Sequence, residues 1–210
     1  MNIVMMGVQG SGKGTQSKMI AEHLKLPHIS TGDLFRANLS QGTDLGRKAK
    51  AFMDRGELVP DTIVIDMVQD RLTHADAKSG YILDGFPRNG VQLAALEFIR
   101  PVEHAVLLDL DDATAIKRLT GRSECPKCAI IYGAANRPPK IKGKCDKCGG
   151  PLKERGDDKD VQAVKTRLAV YHQEIGVMVS YYEWKKVLRR IDAAGTVDEI
   201  FGKIVASLKR

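Results

Sequence analysis

The sequence predicts an α/β protein built on a parallel sheet, and three observations support this prediction. An apolar run at residues 3–6 leads directly into a glycine-rich loop at residues 7–15, and a helix-patterned stretch follows the loop. Farther along, short apolar runs alternate with helix-length segments. Two of these runs, at residues 80–84 and 105–110, are almost continuously apolar, as parallel strands covered by helices on both faces should be. Such alternation favours a parallel sheet with right-handed crossovers.

Five strands and the helices between them account for most of the chain. We expect strands at about residues 3–6, 26–30, 80–84, 105–110 and 187–191. Helical periodicity predicts helices at residues 17–24, 34–39 and 44–55, and others that begin near residues 61 and 197.

Two segments interrupt the alternation of strands and helices. Residues 31–59 contain helical patterns only, and residues 121–158 contain four cysteines and little helical periodicity. We therefore expect one core domain, made of residues 1–30, 60–120 and 159–210, which carries these two segments as inserts. Both inserts are expected over the carboxyl edge of the sheet, where open α/β folds bind ligands.

The loop at residues 7–15 is typical of a phosphate-binding site. Its central residues are Gly10, Ser11, Gly12, Lys13, Gly14 and Thr15. Glycines allow backbone N–H groups to turn toward one point, the start of the helix adds partial positive charge, and Lys13 supplies an ammonium group. Gly14 separates Lys13 from Thr15. The Thr15 hydroxyl is therefore one residue beyond the usual metal-ligating position, which directly follows the lysine. The alternative is a glycine-rich turn without a ligand.

The four cysteines form two pairs with metal-binding spacing. Cys125 and Cys128 make one CxxC knuckle, Cys145 and Cys148 make the second, and sixteen residues separate the knuckles. This pattern indicates a tetrahedral zinc site made of four thiolates, which is structural because it leaves no open position for water. Iron in the same site, two disulfides and unliganded thiols are the alternatives.

The composition sets broad limits on function. The chain has 210 residues, 43% of them hydrophobic and 28% charged, with a net charge of +7. It has no apolar run of about eighteen residues and no signal-peptide pattern at its start, so we expect a soluble, cytoplasmic protein without a membrane partner. The positive charge suits anionic partners without choosing among them.

Lysines around the cysteines raise the alternative of a nucleic-acid-binding zinc ribbon. Aromatic residues for base stacking are nearly absent there, since Tyr132 is the only one between Arg122 and Arg155. A solvated basic face is the more usual explanation, so we do not expect nucleic acid as a partner.

Charged residues follow the predicted third strand and surround the cysteine segment. Asp84 and Arg88 should lie at the same sheet edge as Lys13, where a carboxylate can hold magnesium and an arginine can bind phosphate oxygens. The alternative for Asp84 is a helix N-cap. Arg118 and Arg122 are four residues apart, which would place them on one helical face. With Arg155 and Arg167, they suggest a clamp for phosphates.

Taken together, these residues make the chain resemble the adenylate kinases, and specifically the long-lid bacterial type with a zinc-bearing lid. The resemblance covers the whole length and rests on several separate motifs. These are residues 7–15, Ser30-Thr31-Gly32-Asp33 with Arg36, Asp84-Gly85-Phe86-Pro87-Arg88 with Gln92, Arg118 and Arg122, the four cysteines, Arg155 with Asp157 and Asp158, and Arg167.

The resemblance implies a P-loop nucleoside monophosphate kinase fold and the reversible reaction ATP + AMP = 2 ADP, with magnesium bound to ATP. It makes residues 31–59 the AMP-binding insert and residues 121–158 the zinc-binding lid. It implies a monomer with ATP, AMP and ADP as its partners. Another monophosphate kinase is the alternative, although Thr31 with Gln92 favours AMP over UMP or CMP; GTP as donor stays open.

The resemblance also implies the site residues. The ATP site would comprise Gly10, Ser11, Gly12, Lys13, Gly14, Thr15, Arg118, Arg122, Ile131, Tyr132 and Gly195. The AMP site would comprise Thr31, Arg36, Glu57, Leu58, Val59, Gly85, Phe86, Pro87, Arg88, Gln92, Arg155 and Arg167. The catalytic groups would be Lys13, Asp84, Arg88, Arg122, Arg155 and Arg167, and the metal ligands Cys125, Cys128, Cys145 and Cys148.

Overall fold

The computed structural model describes residues 1–54, 59–133, 137–154 and 161–209. Its strands are β1 (Asn2–Gly7), β2 (His28–Ser30), β3 (Tyr81–Asp84), β4 (His104–Asp109), β5 (Arg122–Glu124), β6 (Ile131–Gly133), β7 (Lys153–Glu154) and β8 (Leu188–Asp192). Its α-helices are α1 (Lys13–Leu24), α2 (Thr31–Gln41), α3 (Asp44–Asp54), α4 (Asp61–Thr73), α5 (Gly90–Ile99), α6 (Asp112–Thr120), α7 (Val161–Trp184) and α8 (Val197–Leu208).

One five-stranded parallel sheet organises the fold, with the strand order β2-β3-β1-β4-β8. Strand β3 lies between β2 and β1. Its Ile82 is opposite Ile3 of β1 on one side and opposite His28 of β2 on the other. Ile3 and Ile82 are fully buried. Buried apolar side chains on both faces of β1 and β3 produce the continuous apolar runs of the sequence. The five-stranded parallel sheet predicted from the sequence is confirmed.

The chain divides into two compact units. The first unit comprises Met1–Met6, Ser17–Val106 and Glu174–Arg189, and the second comprises Gly7–Gln16, Leu107–Gln173 and Arg190–Arg210. The first unit therefore holds β2, β3 and helices α2 to α5. The second holds the glycine-rich loop, helices α6 and α8, and the cysteine segment. Among the described helices, none combines the length and the apolarity that crossing a membrane requires.

Helices α2, α3 and α4 form a small core of their own within the first unit. Helix α2 begins after its N-cap Ser30, whose hydroxyl accepts a bond from the Asp33 N–H, and its C-cap is Gly42 with φ 63°. These are a side-chain cap and a left-handed C-terminal residue. The three helices bury Ala49, Ile63 and Met67 against one another, with Leu34, Phe35, Leu45, Phe52 and Val59 packed around them.

The cysteine segment of the second unit contains a three-stranded antiparallel sheet in the order β6-β5-β7. These strands are two or three residues long, too short to produce a visible alternation in the sequence, and the five predicted strands do not include them. One prediction is wrong at this boundary. Helix α6 ends at Thr120 and Arg122 opens β5, so Arg118 and Arg122 do not share a helical face. Gly121 caps the helix between them.

Candidate active site

The glycine-rich loop lies between β1 and the first turn of α1. Helix α1 begins at Lys13, so the N–H groups of its first turn lie at a helix N-terminus, which is a ready-made site for anions. The Lys13 ammonium donates to the carbonyl oxygens of Gly7 and Val8, the second at 2.9 Å. The cation is therefore held against the loop by neutral carbonyl groups, and a phosphate could compete for it.

Gly7, Gly10 and Gly12 of this loop have positive φ angles that favour glycine, and Gly10 and Gly12 require glycine for different reasons. Gly10 has φ 89°, and a Cβ there would lie 2.8 Å from the Ala115 carbonyl oxygen, so the loop is packed against α6. Gly12 has φ 94°, but a Cβ there would meet no atom within 4 Å. The requirement at Gly12 therefore comes from the backbone angle alone. Ser11, between them, is fully buried.

Two buried side chains hold the turn after β8. The Arg118 guanidinium, 8% exposed, donates to the Ala193 carbonyl oxygen at 3.0 Å. Burial lowers the pKa of Arg118, while the Asp111 carboxylate opposes that shift. Gln16 donates to the Val197 carbonyl oxygen at 2.8 Å. Together, they fix both ends of the turn that contains Gly195.

A pocket of about 330 Å³ lies beside that turn, lined by Asp109, Leu110, Asp111, Asp192 and Ala194. Three carboxylates would repel a phosphate, so this pocket does not suit a triphosphate. The chemistry favours the loop around Lys13 for phosphates.

In the first unit, three residues predicted to bind AMP meet at the Gly85 carbonyl oxygen. The buried Thr31 hydroxyl donates to it at 3.0 Å, and the Nε of Arg88 donates to it at 2.8 Å. A Cβ on Gly85, where φ is 82°, would lie 2.7 Å from the Thr31 hydroxyl. Only glycine, which has no Cβ, therefore fits at position 85 beside the Thr31 hydroxyl. Phe86 is 1% exposed, and the peptide bond from it to Pro87 is cis.

The side chain of Gln92 is buried and hydrogen-bonded at both ends of its amide. Its Oε1 accepts from the Arg88 N–H at 2.8 Å, and its Nε2 donates to the Asp61 carboxylate at 2.7 Å. Asn89 is the N-cap of α5 and accepts from the Gln92 backbone N–H at 2.9 Å. The Asn89 amide also donates to both oxygens of Asp61.

Asp84 ends β3, in register with Met5 of β1 and Ser30 of β2. Its Oδ2 lies 3.7 Å from the Nε2 of His28, and the two side chains are only 14% and 13% exposed. The alternative prediction for Asp84, a helix N-cap, is wrong because Asn89 caps α5.

The remaining predicted residues are placed separately. Arg36 pairs with Asp33 on the exposed side of α2, Arg167 lies half-buried on α7, and Ile131 lies opposite Glu124 in the small sheet. Arg122 lies opposite Gly133 in the same sheet. The residues Glu57, Leu58, Arg155, Asp157 and Asp158 lie outside the described part of the chain.

The four cysteines come together as a candidate metal centre. Their sulfur atoms all lie within 4.8 Å of one another, and the Sγ atoms of Cys125 and Cys148 are 3.6 Å apart. That separation is far longer than a disulfide bond of about 2.05 Å. It is close to the roughly 3.8 Å between sulfurs that share a tetrahedral zinc with bonds of about 2.3 Å. The four residues therefore fit a zinc ion, and the thiols are free rather than paired.

The two cysteine knuckles have the same backbone hydrogen bonds. In the first, Ala129 N–H donates to the Cys125 carbonyl and Cys125 N–H to the Ile130 carbonyl. In the second, Gly149 N–H donates to the Cys145 carbonyl and Cys145 N–H to the Gly150 carbonyl. Ala129 and Gly149 have equivalent left-handed conformations, with φ 50° and φ 70°.

Tyr132 lies under the cysteines, not at the surface. It is 1% exposed and packs with Cys125 and Cys145. Its hydroxyl donates to the Cys145 sulfur at 3.5 Å and accepts from the Asp146 N–H at 2.8 Å. The bond from Tyr132 lowers the pKa of the Cys145 thiol to about 6, which favours the thiolate that binds a metal. Only the backbone of Tyr132 is therefore available to line an ATP site.

Comparisons with known proteins identify the family. The family described as "Adenylate kinase" matches residues 5–187. The chain belongs to the adenylate kinase family. It is 46% identical to the adenylate kinase of Thermodesulfovibrio yellowstonii, with 100% of both chains covered. It is 45% identical to that of Lachnospira eligens, over 99% of this chain and 100% of the other. It is 43% identical to that of Methanocella arvoryzae, over 100% and 99%.

Membership of the adenylate kinase family makes the chain a phosphotransferase of the nucleoside monophosphate kinase class that acts on nucleotides. Within each unit, the predicted residues form contacts: Thr31, Gly85 and Arg88 in the first, and the phosphate loop in the second. Sequence reasoning missed Asp61 and Asn89. A carboxylate at the start of α4 and an asparagine before α5 are also ordinary helix-start residues, so the sequence did not distinguish their additional contacts.

Proposed function

We propose that the protein catalyses ATP + AMP = 2 ADP, with magnesium bound to ATP. The observation that carries the proposal is the loop at the start of α1, where Lys13 lies against carbonyl groups next to a helix N-terminus. A polyphosphate suits this combination of N–H groups and a lysine ammonium group. The family and the contacts of Thr31 and Arg88 with Gly85 support AMP as the second substrate.

The chemistry requires positioning and charge neutralisation, without a covalent intermediate. Transfer from ATP to the AMP phosphate brings several negative charges together. Side chains proposed to neutralise them are Lys13, Arg88, Arg122, Arg155 and Arg167. Magnesium would neutralise the phosphates of ATP, and Asp84, nearly buried at the end of β3, would hold the ion or its water shell. No side chain has to act as a strong base.

We further propose that residues 31–59 and 121–158 are mobile inserts that close over the substrates and exclude water, the main competing acceptor. A structural zinc ion held by the four cysteines would stabilise the second insert. Its own apolar core is small, since Tyr132, Ile130 and Leu152 are the described non-cysteine members. We also propose that the protein is a monomer in the cytoplasm. Reducing conditions there keep such thiols free.

The test is an assay of ADP formation from ATP and magnesium, with AMP, UMP, CMP, GMP or no acceptor in parallel. We expect rapid turnover with AMP only and little loss of ATP without an acceptor. Rapid transfer to another monophosphate would overturn the AMP assignment. ATP loss without any acceptor would overturn the proposed exclusion of water. Exchanging ATP for GTP in the same assay measures the strictness of the donor site.

A further inference from the structure

Asp61 is the centre of a polar network that the proposed mechanism does not use. It opens α4, and its carboxylate accepts from the Gln92 Nε2 at 2.7 Å and from the Asn89 Nδ2 at 3.1 and 3.0 Å. Gln92 is 5% exposed, so its amide depends on these protein partners. All three residues belong to the first unit.

The partners of Gln92 determine which way its amide points. The Arg88 backbone N–H, 2.8 Å away, can only donate, so the atom facing it must be the oxygen. The Asp61 carboxylate can only accept, so the atom facing it must be the nitrogen. A flipped amide would place two donors together on one side and two acceptors on the other. The amide is therefore locked in one orientation.

We propose that Asp61 is a specificity-determining residue, because it fixes Gln92 as a hydrogen-bond donor toward the base of the acceptor nucleotide. The inference rests on the proposed function and on the placement of Gln92 against the adenine of AMP, which the resemblance to the adenylate kinases implies. One N–H of Nε2 is committed to Asp61, and the second has no hydrogen-bond partner among the described residues, so a ligand can accept from it. A donor in this position selects a base edge that offers an acceptor.

This selection separates bases by chemistry. The N1 ring nitrogen of adenine is an unprotonated acceptor, whereas the N1 of hypoxanthine and guanine carries a hydrogen. A fixed N–H opposite such a hydrogen leaves two buried donors facing each other, which costs far more than the loss of one bond. The network therefore favours AMP and rejects IMP. Without Asp61, the amide could reorient and the difference between AMP and IMP would narrow.

The experiment compares Asp61→Ala and Asp61→Asn with the unmodified enzyme, using AMP and IMP as acceptors at saturating ATP. For Asp61→Ala we expect kcat/KM for AMP to fall about tenfold. The ratio of kcat/KM for AMP to that for IMP should also fall about tenfold, because one charge-assisted hydrogen bond is lost. The KM for ATP should not change. Asp61→Asn retains one acceptor oxygen, so its changes should be smaller in the same direction.

Two further variants separate positioning from a general loss of structure. Asp198→Ala removes a carboxylate from the first turn of α8 and should leave the preference unchanged. Asn89→Ser keeps an oxygen for the Gln92 N–H but removes the amide that holds Asp61, so it should narrow the preference slightly. An unchanged preference in Asp61→Ala, with AMP still the acceptor, overturns the inference. Failure of the unmodified enzyme to use AMP overturns the proposed function instead.

Discussion

The two knuckles provide a quantitative test of how this chain builds its candidate metal centre. Ala129 and Gly149 hold equivalent positions with φ 50° and φ 70°, and a Cβ on Gly149 would meet no atom within 4 Å. The cost of Gly149→Ala therefore comes from the backbone angle alone. An L-residue in the left-handed region costs about 1–2 kcal/mol, and glycine's greater freedom in the unfolded chain offsets part of it. We expect a net loss of about 1 kcal/mol.

The reverse change, Ala129→Gly, should stabilise the first knuckle by about 0.5–1 kcal/mol for the same reason. Because metal binding and local folding are linked, these changes should appear in zinc affinity. Competition with a chromophoric chelator should show about fivefold weaker binding for Gly149→Ala and about two- to fivefold tighter binding for Ala129→Gly. Gly202→Ala, which adds the same methyl group on α8 in open space, is the control. Weaker binding in both knuckle variants would refute the equivalence of the knuckles.

Three other substitutions test separate parts of the site. Lys13→Met should lower kcat by about 10²–10³-fold or more while the circular dichroism spectrum stays unchanged, because neutralisation of phosphate charge is lost; near-normal turnover would contradict this. Replacing both Cys145 and Cys148 by Ser should release the metal and lower the melting temperature but leave some activity, whereas a metal content of one per chain would disprove the four-cysteine site. Tyr132→Phe should weaken zinc binding about 10-fold by removing the bond to Cys145, while Tyr81→Phe, which removes a buried hydroxyl bond to Arg100, should not.

The sequence predicted β1, β3 and β4 well because most residues of these strands are buried. Apolar runs such as residues 80–84 are visible in a single sequence, and they correspond to β3 with its fully buried Tyr81, Ile82 and Leu83. The small sheet of the cysteine segment was missed because β5 has three partly exposed residues and β7 has two exposed ones. The clustered cysteines and backbone hydrogen bonds organise that region, so hydrophobic periodicity carries little information about it.

The helical face assigned to Arg118 and Arg122 failed for a local reason. Their spacing of four suits a helix, but Gly121 lies between them and ends α6. Glycine after a helical run is a stop signal, and it outweighed the spacing. The chemistry of single residues was also ambiguous: Tyr132 could be an exposed ring or a buried one, and only its contacts with Cys145 and Asp146 decide that it is buried.

The most direct test of the account begins with ADP alone. Incubation of the enzyme with ADP and magnesium, followed by phosphorus NMR, should show ATP and AMP appearing in equal amounts, with no inorganic phosphate. Equal amounts are required by reversible transfer between two nucleotides, and the absence of phosphate is required by exclusion of water. Inorganic phosphate released in step with AMP would contradict the account, because the chain would then be a hydrolase rather than a phosphotransferase.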